Sequence, residues 1–315
     1  MNRTTRPTTT VLATLALVAG ALAGCANTTG ADDLDRATPA PKGTTTSAPP
    51  ITDPRCNPLA SYAPAGAGPT VEAIRDRGKL VVAVSADTYR MGARNPTTGE
   101  IEGFDIDMAE FVAQAVFGEP GHLQLRVITS AQRIPVLQNH EVDMVARAFT
   151  MTCERWEQIA FSAVYYNAGQ KVLVAADSSA ESLATLPNLT RVCAPAGTTT
   201  LTRLKAVAPH VEAVAADTHT GCLTMFQRGQ VDAITGDDTV LAGLAAQDPY
   251  TKIVGEAISD EPYGLGIAAD QQDFVAFVNG VLEQVKADGR WTSSYDQWLS
   301  VLGPAPDPPR PVYGR

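Results

Sequence analysis

The chain has 315 residues, and its 34 acidic side chains outnumber its 24 lysines and arginines, which gives a formal net charge of −10. Such an excess of negative charge argues against nucleic acid as a partner, because nucleic-acid-binding domains carry a positive surface. It also makes any arginine within the folded part informative, because the overall composition gives no reason to expect one there.

The first 24 residues have the pattern of a secretory signal peptide. Arg3 and Arg6 precede the apolar run VLATLALVAGALAG at 11–24, which is too short for a membrane span. The tetrapeptide LAGC, which ends at Cys25, resembles the lipobox of bacterial lipoproteins. The resemblance implies that Cys25 is lipidated after cleavage and that the protein is extracytoplasmic, anchored to the outer face of the cell membrane. The alternative is an ordinary secretory signal followed by a cysteine by chance.

Two segments lack the apolar side chains that a core requires. Residues 25–68 are rich in Thr, Pro and Ala, and such a composition predicts a disordered tether. Residues 303–315, GPAPDPPRPVYGR, are proline-rich and are also predicted to be disordered. The remaining residues, about 235 in number, are enough for two lobes around separate cores.

The folded part alternates strand-like and helix-like segments. KLVVAVS at 79–85 is a β-branched run of strand length, and a helix-spaced apolar pattern follows Asp105, which we expect to cap that helix. The same alternation continues to the helix near Cys153 and then repeats in the second half. The sequence therefore predicts an α/β protein with two similar lobes, each a mostly parallel sheet with helices on both faces.

Two crossover strands, near residues 166–170 and 261–264, are expected to join the lobes at a hinge. Lobe 1 then comprises 69–166 and 263–302, and lobe 2 comprises 167–262. In open α/β sheets the ligand lies beyond the carboxyl ends of the strands. The candidate site therefore consists of the polar segments that follow the strands: Ser85 onward, 129–133, 148–155, 197–200 and Asp237.

Four cysteines follow Cys25, at positions 56, 153, 193 and 222. None of their spacings fits a metal site, and an oxidising compartment favours two disulfides over zinc. Four cysteines allow three connectivities. We predict Cys193 with Cys222, which lie in one later segment, and by elimination Cys56 with Cys153. The alternative is four unpaired buried thiols.

Six motifs in order resemble the extracytoplasmic solute-binding proteins of polar amino-acid ABC importers, which have the type II periplasmic-binding fold. The resemblance covers residues 70–302, and its narrower features, such as MGARNP at 91–96, resemble the glutamate/aspartate-binding branch. The motifs are GFDIDMAEFVA (103–113), RIPVLQNHEVDM (133–144), FTMTCERWEQIAFS (149–162), GTTT (197–200), VDAITGDD (231–238) and EPYGLGIA (261–268).

The resemblance implies how the ligand's α-amino-acid end is held. Arg155 would bind the α-carboxylate with two parallel hydrogen bonds. The carbonyl of Ala148 and the hydroxyl of Thr150 would accept from the α-ammonium, and Asp237 would be its counter-ion. Further donors would come from Thr198 or Thr199. The alternatives are a surface position for Arg155 and a helix cap for Asp237, a role we assign to its neighbour Asp238.

The resemblance also implies that a side-chain carboxylate is held by four residues: Ser130, Arg133, His219 and Arg94. We therefore expect L-glutamate and L-aspartate as ligands, with L-asparagine and L-glutamine weaker. Ala86 stands where some acidic-amino-acid binders carry an arginine, so some promiscuity toward the amides is plausible. His219 and Arg94 have surface positions as their alternative. Arg147, on the face of its strand opposite Ala148, is expected to have a structural role or to lie at the rim of the site rather than to bind the ligand.

The expected function is ligand capture by hinge closure and delivery to an ABC importer permease. A transmembrane sensor that reads the same closure is the alternative partner. An enzyme of the dehydratase kind on the same fold is the alternative from another class, but no catalytic motif such as G-x-S-x-G or H-E-x-x-H occurs. We expect no catalytic residue, cofactor or metal, and a monomer.

Overall fold

The computed structural model describes residues 56–315. Its strands are β1 (Ala60–Ser61), β2 (Leu80–Val84), β3 (Asp87–Thr88), β4 (Gly92–Arg94), β5 (Ile101–Glu102), β6 (Leu123–Val127), β7 (Met144–Ala146), β8 (Ala160–Phe161), β9 (Tyr166–Ala175), β10 (Arg191–Pro195), β11 (Glu212–Ala216), β12 (Ala233–Asp237), β13 (Thr251–Val254), β14 (Asp260–Tyr263), β15 (Gly266–Ile267) and β16 (Val312–Tyr313). Its α-helices are α1 (Pro69–Arg77), α2 (Phe104–Phe117), α3 (Arg133–Gln138), α4 (Cys153–Trp156), α5 (Thr199–Val207), α6 (His219–Gln227), α7 (Asp238–Gln247), α8 (Gln272–Ala287) and α9 (Arg290–Trp298).

Helix α2 shows how the chain starts and ends an element. It begins after Gly103, whose φ of 141° and close approach to the Met91 carbonyl leave no room for a Cβ. It ends at Gly118, whose left-handed conformation stops the helix. Asp105 makes no capping hydrogen bond, so the predicted cap is wrong. Its carboxylate instead accepts from the backbone N–H of Ala148 and the hydroxyl of Tyr165.

Lobe 1 is built on a five-stranded sheet in the order β6-β2-β7-β15-β8. Strand β2 is parallel to both β6 and β7, whereas β15 is antiparallel to its two neighbours. One face packs against Phe104, Phe274 and Trp291, and the other against Phe149 and Phe161. Two apolar layers thus fix the carboxyl ends of β2 and β7 at one edge of this lobe.

Lobe 2 has a second sheet in the order β11-β10-β12-β9-β13, to which β14 adds by pairing with β9. Strands β10, β11 and β12 are parallel, and β9 runs antiparallel to β12 and β13. Leu204 and Val192 pack on one face, and Ile234 and Leu241 on the other. The predicted α/β class with two lobes is confirmed.

The two lobes are connected through β9 and β14. Tyr166 to Gly169 at the start of β9 pair antiparallel with β14, and the rest of β9 enters the sheet of lobe 2. Both predicted lobe boundaries fall at the ends of these two strands. A pair of hydrogen-bonded crossing strands is the arrangement expected of a hinge.

The two ends of the described chain meet on lobe 1. Strand β1 pairs with β16, and the guanidinium of Arg315 lies 3.8 Å from the ring centroid of Trp156. Lys286 Nζ donates to the carbonyl of Pro309. The predicted disorder is therefore wrong for 303–315 and for 56–68, because these segments satisfy each other's backbone groups and pack on the lobe.

Both predicted disulfides are confirmed. Cys56 bonds to Cys153 with 6.1 Å between their Cα atoms, and Cys193 bonds to Cys222 with 5.6 Å. The first fastens the start of the described chain to helix α4, and the second fastens β10 to α6. Each disulfide thus anchors a helix that also carries a predicted ligand-binding residue, Arg155 or His219.

Three predictions lie outside the described residues: the signal peptide at 1–24, lipidation of Cys25 and the tether up to residue 55. Across residues 56–315, no helix is both long enough and apolar enough to span a membrane.

Candidate ligand-binding site

A narrow cavity lies between the two lobes. Lobe 1 contributes residues that follow β2 and β7 or begin helices: Ser85, Thr88, Asp105, Arg133, Arg147, Ala148 and Thr150. Lobe 2 contributes Thr198, Thr199, Thr200, His219 and Asp237. The lining therefore comes from the carboxyl ends of strands in both sheets, where ligands of open α/β folds bind.

The helices of lobe 2 begin at this cavity because threonines cap them. The Thr198 hydroxyl accepts from Leu201 N–H at 3.2 Å, and the Thr218 hydroxyl accepts from Gly221 N–H at 3.0 Å. These caps place the N-terminal ends of α5 and α6 beside the lining residues Thr199 and His219. The partial positive charge of a helix N-terminus favours an anionic group there.

Seven of the predicted binding residues line the cavity together: Arg133, Ala148, Thr150, Thr198, Thr199, His219 and Asp237. Arg155 lies against the lining, since its Nη1 donates to Thr150 O at 2.5 Å and its Nη2 to Gly197 O at 3.2 Å. Ser130 is buried behind the lining, where its hydroxyl accepts from Arg147. Most of the predicted ligand-binding residues thus lie in or next to the lining of this cavity.

Arg94 is not brought into the cavity. It lies on β4, in the small β3-β4-β5 sheet, with an exposed side chain that donates to the carbonyl of Gly99. The MGARNP motif turns this side chain outward because its backbone pairs with β5 and with Ala86. The predicted contact of Arg94 with a ligand has no support in this geometry.

Sequence reasoning missed Arg147, for which it expected a structural role. Strand β7 ends at Ala146, and Ala148 has a positive φ of 40°, so the alternation of faces along the strand does not extend to Arg147. Its guanidinium lines the cavity and is buried, with 2% exposure. The predicted strand, 142–149, included Arg147, whereas the observed strand ends one residue before it.

Three buried arginines converge on the cavity, and two of them stack on one ring. The guanidinium carbons of Arg133 and Arg155 lie 4.4 and 4.9 Å from the ring centroid of Phe149. Burial lowers the pKa of Arg155 to about 10. Burial also lowers the pKa of Arg133 well below its usual range, and repulsion from the charge of Arg155 lowers it further. This concentration of positive charge is stabilised when an anion enters.

Burial also shifts the acids and the imidazole of the cavity. It raises the pKa of Asp105 to about 6 and that of Asp237 well above its usual range, where neighbouring Glu261 adds to the effect. It lowers the pKa of His219 to about 3, with the charge of Arg147 acting in the same direction. His219 is therefore neutral at physiological pH.

Several polar atoms of this cavity have no hydrogen-bond partner. Among residues 56–315, the buried side-chain atoms without one include Arg147 Nη2, His219 Nδ1 and Asp237 Oδ1, all in the lining. Asp237 uses only Oδ2, which accepts from Tyr263 at 2.6 Å, and makes no capping bond to α7. Each buried unpaired group costs about 1–3 kcal/mol, so the cavity is suited to a polar ligand.

Residues 80–301 match the bacterial extracellular solute-binding proteins, family 3. The chain belongs to this family. The resemblance of its six motifs is thereby confirmed, and so is the type II periplasmic-binding fold.

Named relatives of this solute-binding protein work with ABC transporters or bind amino acids. It is 35% identical over 230 residues to the ABC transporter glutamine-binding protein GlnH of Bacillus subtilis, covering 73% of this chain and 84% of that one. It is 33% identical over 225 residues to the glutamate-binding protein GluB of Corynebacterium glutamicum, covering 68% and 76%. A solved ancestral arginine-binding protein bound to glutamine is 31% identical with a TM-score of 0.66, covering 71% and 98%.

These relatives are named for binding and transport rather than for a reaction. The family is described as extracellular, which agrees with the expected extracytoplasmic location. This chain is accordingly a solute-binding protein of the ABC-importer type, and both of its lobes line the cavity described above.

Proposed function

We propose that this solute-binding protein captures L-glutamate and L-aspartate, and more weakly L-asparagine and L-glutamine, between its lobes and delivers them to an ABC importer. The glutamine- and glutamate-binding names of its relatives support this ligand class. The observation that carries the proposal is the pairing, within one buried cavity, of cations from lobe 1 with the unpartnered carboxylate oxygen of Asp237 from lobe 2.

The α-amino-acid end of the ligand fits this pairing. A carboxylate would accept from Arg155, replacing the weaker acceptor Gly197 O that now lies 3.2 Å from its Nη2. The α-ammonium would donate to Asp237 Oδ1 and to the Thr150 hydroxyl, which lies in the same lining. The charges of a zwitterion are thus matched by groups from opposite lobes.

The preference for an acidic side chain follows from the remaining cations. With Arg155 assigned to the α-carboxylate, Arg133 and Arg147 stay in the lining, and both are buried. A charge-assisted hydrogen bond from a buried guanidinium is stronger to a carboxylate than to a neutral amide oxygen. An amide oxygen is still an acceptor, so asparagine and glutamine also bind. Their binding is weaker because the amide oxygen carries no charge.

Closure of the lobes supports the capture mechanism. Contacts already join the lobes around the cavity: Arg133 Nη2 donates to Gly197 O at 3.0 Å, and Thr220 Oγ1 donates to Asp87 O at 2.8 Å. A ligand that contacts both lobes favours this closed form over an open one by its differential affinity. An importer that recognises the closed form then receives only loaded protein.

The remaining features of the proposal concern the cell and the partner. The transporter names of the relatives favour an importer permease over a transmembrane sensor. We further propose attachment to the membrane through lipidated Cys25, a monomeric protein, and no catalysis, since the charged groups of the cavity match the fixed charges of an amino acid.

Calorimetric titration of the purified protein with the four amino acids tests the proposal. We expect one site, with glutamate and aspartate bound more tightly than glutamine and asparagine. Glutarate, which has both carboxylates but no ammonium group to meet Asp237, is the matched control and should bind much more weakly than glutamate. Equal binding of glutarate, or no binding of any of the four amino acids, would contradict the proposed function.

A further inference from the structure

We propose that Arg147, rather than Arg133, recognises the far end of the ligand's side chain, and that His219 completes this subsite from the opposite lobe. The inference rests on the proposed function and names the residue that sets its specificity. The family resemblance assigned this task to Ser130, Arg133, His219 and Arg94, so the new element is the exchange of Arg133 for Arg147.

Arg133 already has acceptors for four of its five N–H groups. Its Nε donates to Ser130 O at 2.9 Å, its Nη1 to the carbonyls of Arg147 and Ala148 at 3.2 and 3.0 Å, and its Nη2 to Gly197 O at 3.0 Å. Its guanidinium also lies over the ring of Phe149. Hydrogen bonds to four backbone carbonyls and contact with one ring fix this side chain within lobe 1 and join it to Gly197 of lobe 2. Few of its N–H groups remain to donate to a ligand.

Arg147 is held equally firmly but keeps one donor group unused. Its Nε donates to Ile128 O at 3.0 Å and its Nη1 to the Ser130 hydroxyl. Its Nη2 is buried without any partner in the chain, although it belongs to a cavity-lining residue. Because the other two nitrogens fix the plane of the guanidinium, the direction of Nη2 is fixed before the ligand arrives.

His219 meets this subsite from lobe 2. It is the first residue of α6, its side chain is 6% exposed, and its Nδ1 has no partner. Charge from Arg147 reaches the ring strongly enough to lower the pKa of His219 further than burial alone does. Arg147 Nη2 and His219 Nδ1, both without a partner, thus come from different lobes, and the charge of Arg147 acts on the ring of His219.

The acids near Arg147 do not use its free donor group. Burial lowers the pKa of Arg147, and the charges of Asp87 and Asp105 oppose this shift. The carboxylate of Asp87 accepts from the hydroxyls of Ser85 and Thr218. Asp105 accepts from Ala148 N–H and Tyr165. The two acids hold the guanidinium in its charged form while Nη2 stays available to an incoming oxygen.

The chemistry of this pair defines the ligand class as L-amino acids that end in a carboxylate or carboxamide. Arg147 Nη2 requires an acceptor, which either group supplies. Neutral His219 can donate from Nδ1 to a second carboxylate oxygen, or accept there from an amide NH₂ in its other tautomer. Arg147 therefore sets the preference for acids, and His219 permits the amides.

Calorimetry on Arg147→Gln tests the assignment. We expect the dissociation constant for glutamate to rise on the order of 30-fold, because a charge-assisted bond is lost, and that for glutamine to change by less than about threefold. Arg147→Lys keeps the charge and should retain most of the preference for acids. Arg228→Gln, the same substitution at an exposed position of lobe 2, is the matched control and should bind like the wild type.

Three results decide between the alternatives. An unchanged glutamate-to-glutamine ratio in Arg147→Gln would overturn the inference while leaving the proposed function intact. If Arg133→Gln changes that ratio instead, the assignment from the resemblance is correct. If Arg147→Gln does not fold, His219→Ala tests the subsite from the other lobe. The inference predicts that this variant binds both glutamate and glutamine more weakly at an unchanged melting temperature. Unaltered binding would contradict the inference.

Discussion

The two lobes contribute opposite kinds of group to the cavity. Lobe 1 brings the three arginines, whose guanidinium groups are fixed by backbone carbonyls or by Ser130. It also brings Asp105, but the oxygens of that carboxylate already accept from Ala148 N–H and the Tyr165 hydroxyl. Lobe 2 brings hydroxyls, the neutral ring of His219 and the carboxylate of Asp237. Neither lobe alone offers free partners to both charges of a zwitterion, so under the proposed function the ligand is held fully only when the lobes are together.

Removing the central cation of lobe 1 should have the largest effect. Arg155→Ala deletes the proposed α-carboxylate partner and leaves Glu261 and Asp237 without its charge. Loss of one member of a buried charged pair costs about 3–5 kcal/mol, so binding of all four amino acids should weaken by more than about 100-fold. Calorimetry measures this, and Arg228→Ala is the matched control. An equal loss in both variants would contradict the role of Arg155.

The two disulfides extend the comparison to stability. Cys56 and Cys153 are 97 residues apart, whereas Cys193 and Cys222 are 29 apart. Replacing either pair with serines should cost about 2–4 kcal/mol of unfolding free energy, with the larger loss for the longer loop. Urea unfolding of the two double variants measures the difference. A larger loss for the shorter loop would show that local packing, rather than the closed loop, determines the contribution.

Asp237→Asn should separate binding from stability on the lobe 2 side. The substitution removes the negative charge that meets the ammonium, so affinity should fall about 30-fold. The empty protein should be at least as stable as the wild type, since burial raises the pKa of Asp237 and makes its charged form costly. Calorimetry and thermal melting together test this, and a large drop in melting temperature would argue for a structural role.

The pH dependence of binding follows from the same carboxylate. An ammonium group pairs with the ionised form, whereas the raised pKa of Asp237 means that a proton competes for it in the empty cavity. Affinity should therefore fall as the pH is lowered through that raised pKa, and binding should release a proton. Asp237→Asn should flatten this part of the profile, although Asp105, with a pKa of about 6, still titrates nearby. An unchanged profile would assign the effect to another group.

The smallest expected effect is at the chain ends. Arg315→Ala removes the contact with the ring of Trp156 and the hydrogen bond to Ala60 O, at an exposed position. A loss of about 1 kcal/mol in unfolding free energy is expected, with amino-acid affinity unchanged. Thermal melting is the measurement. A change in affinity would show that the terminal strands influence helix α4, which carries Arg155.

Much of this molecule could be predicted from its sequence because strong local patterns agree with the fold. The α/β alternation, the crossover strands and the polar residues after each strand follow from periodicity and from strand ends. Even the disulfide between Cys193 and Cys222 required only an oxidising compartment and two cysteines in one segment. Strand ends predicted that Thr150, Thr198 and Asp237 lie at the ligand-binding edges of their sheets. That edges from two lobes form one site was implied by the family resemblance.

The failures have physical causes that a local pattern does not contain. Residues 303–315 have only Val312 and Tyr313 as large apolar side chains, yet their backbone pairs with a strand at the other end of the described chain. Arg147 was misassigned because Ala148 adopts a positive φ, which ends the alternation of faces. Arg94 was placed at the site by a motif whose loop turns outward. Long-range pairing and single backbone torsions decided these three cases.

A crystal structure of the protein with L-glutamate tests the account most directly. The account predicts the α-carboxylate on Arg155, the ammonium group within hydrogen-bond distance of Asp237 Oδ1, and the side-chain carboxylate on Arg147 Nη2 and His219 Nδ1. A ligand whose side-chain carboxylate lies on Arg133 instead, or whose ammonium group does not meet Asp237, would contradict it.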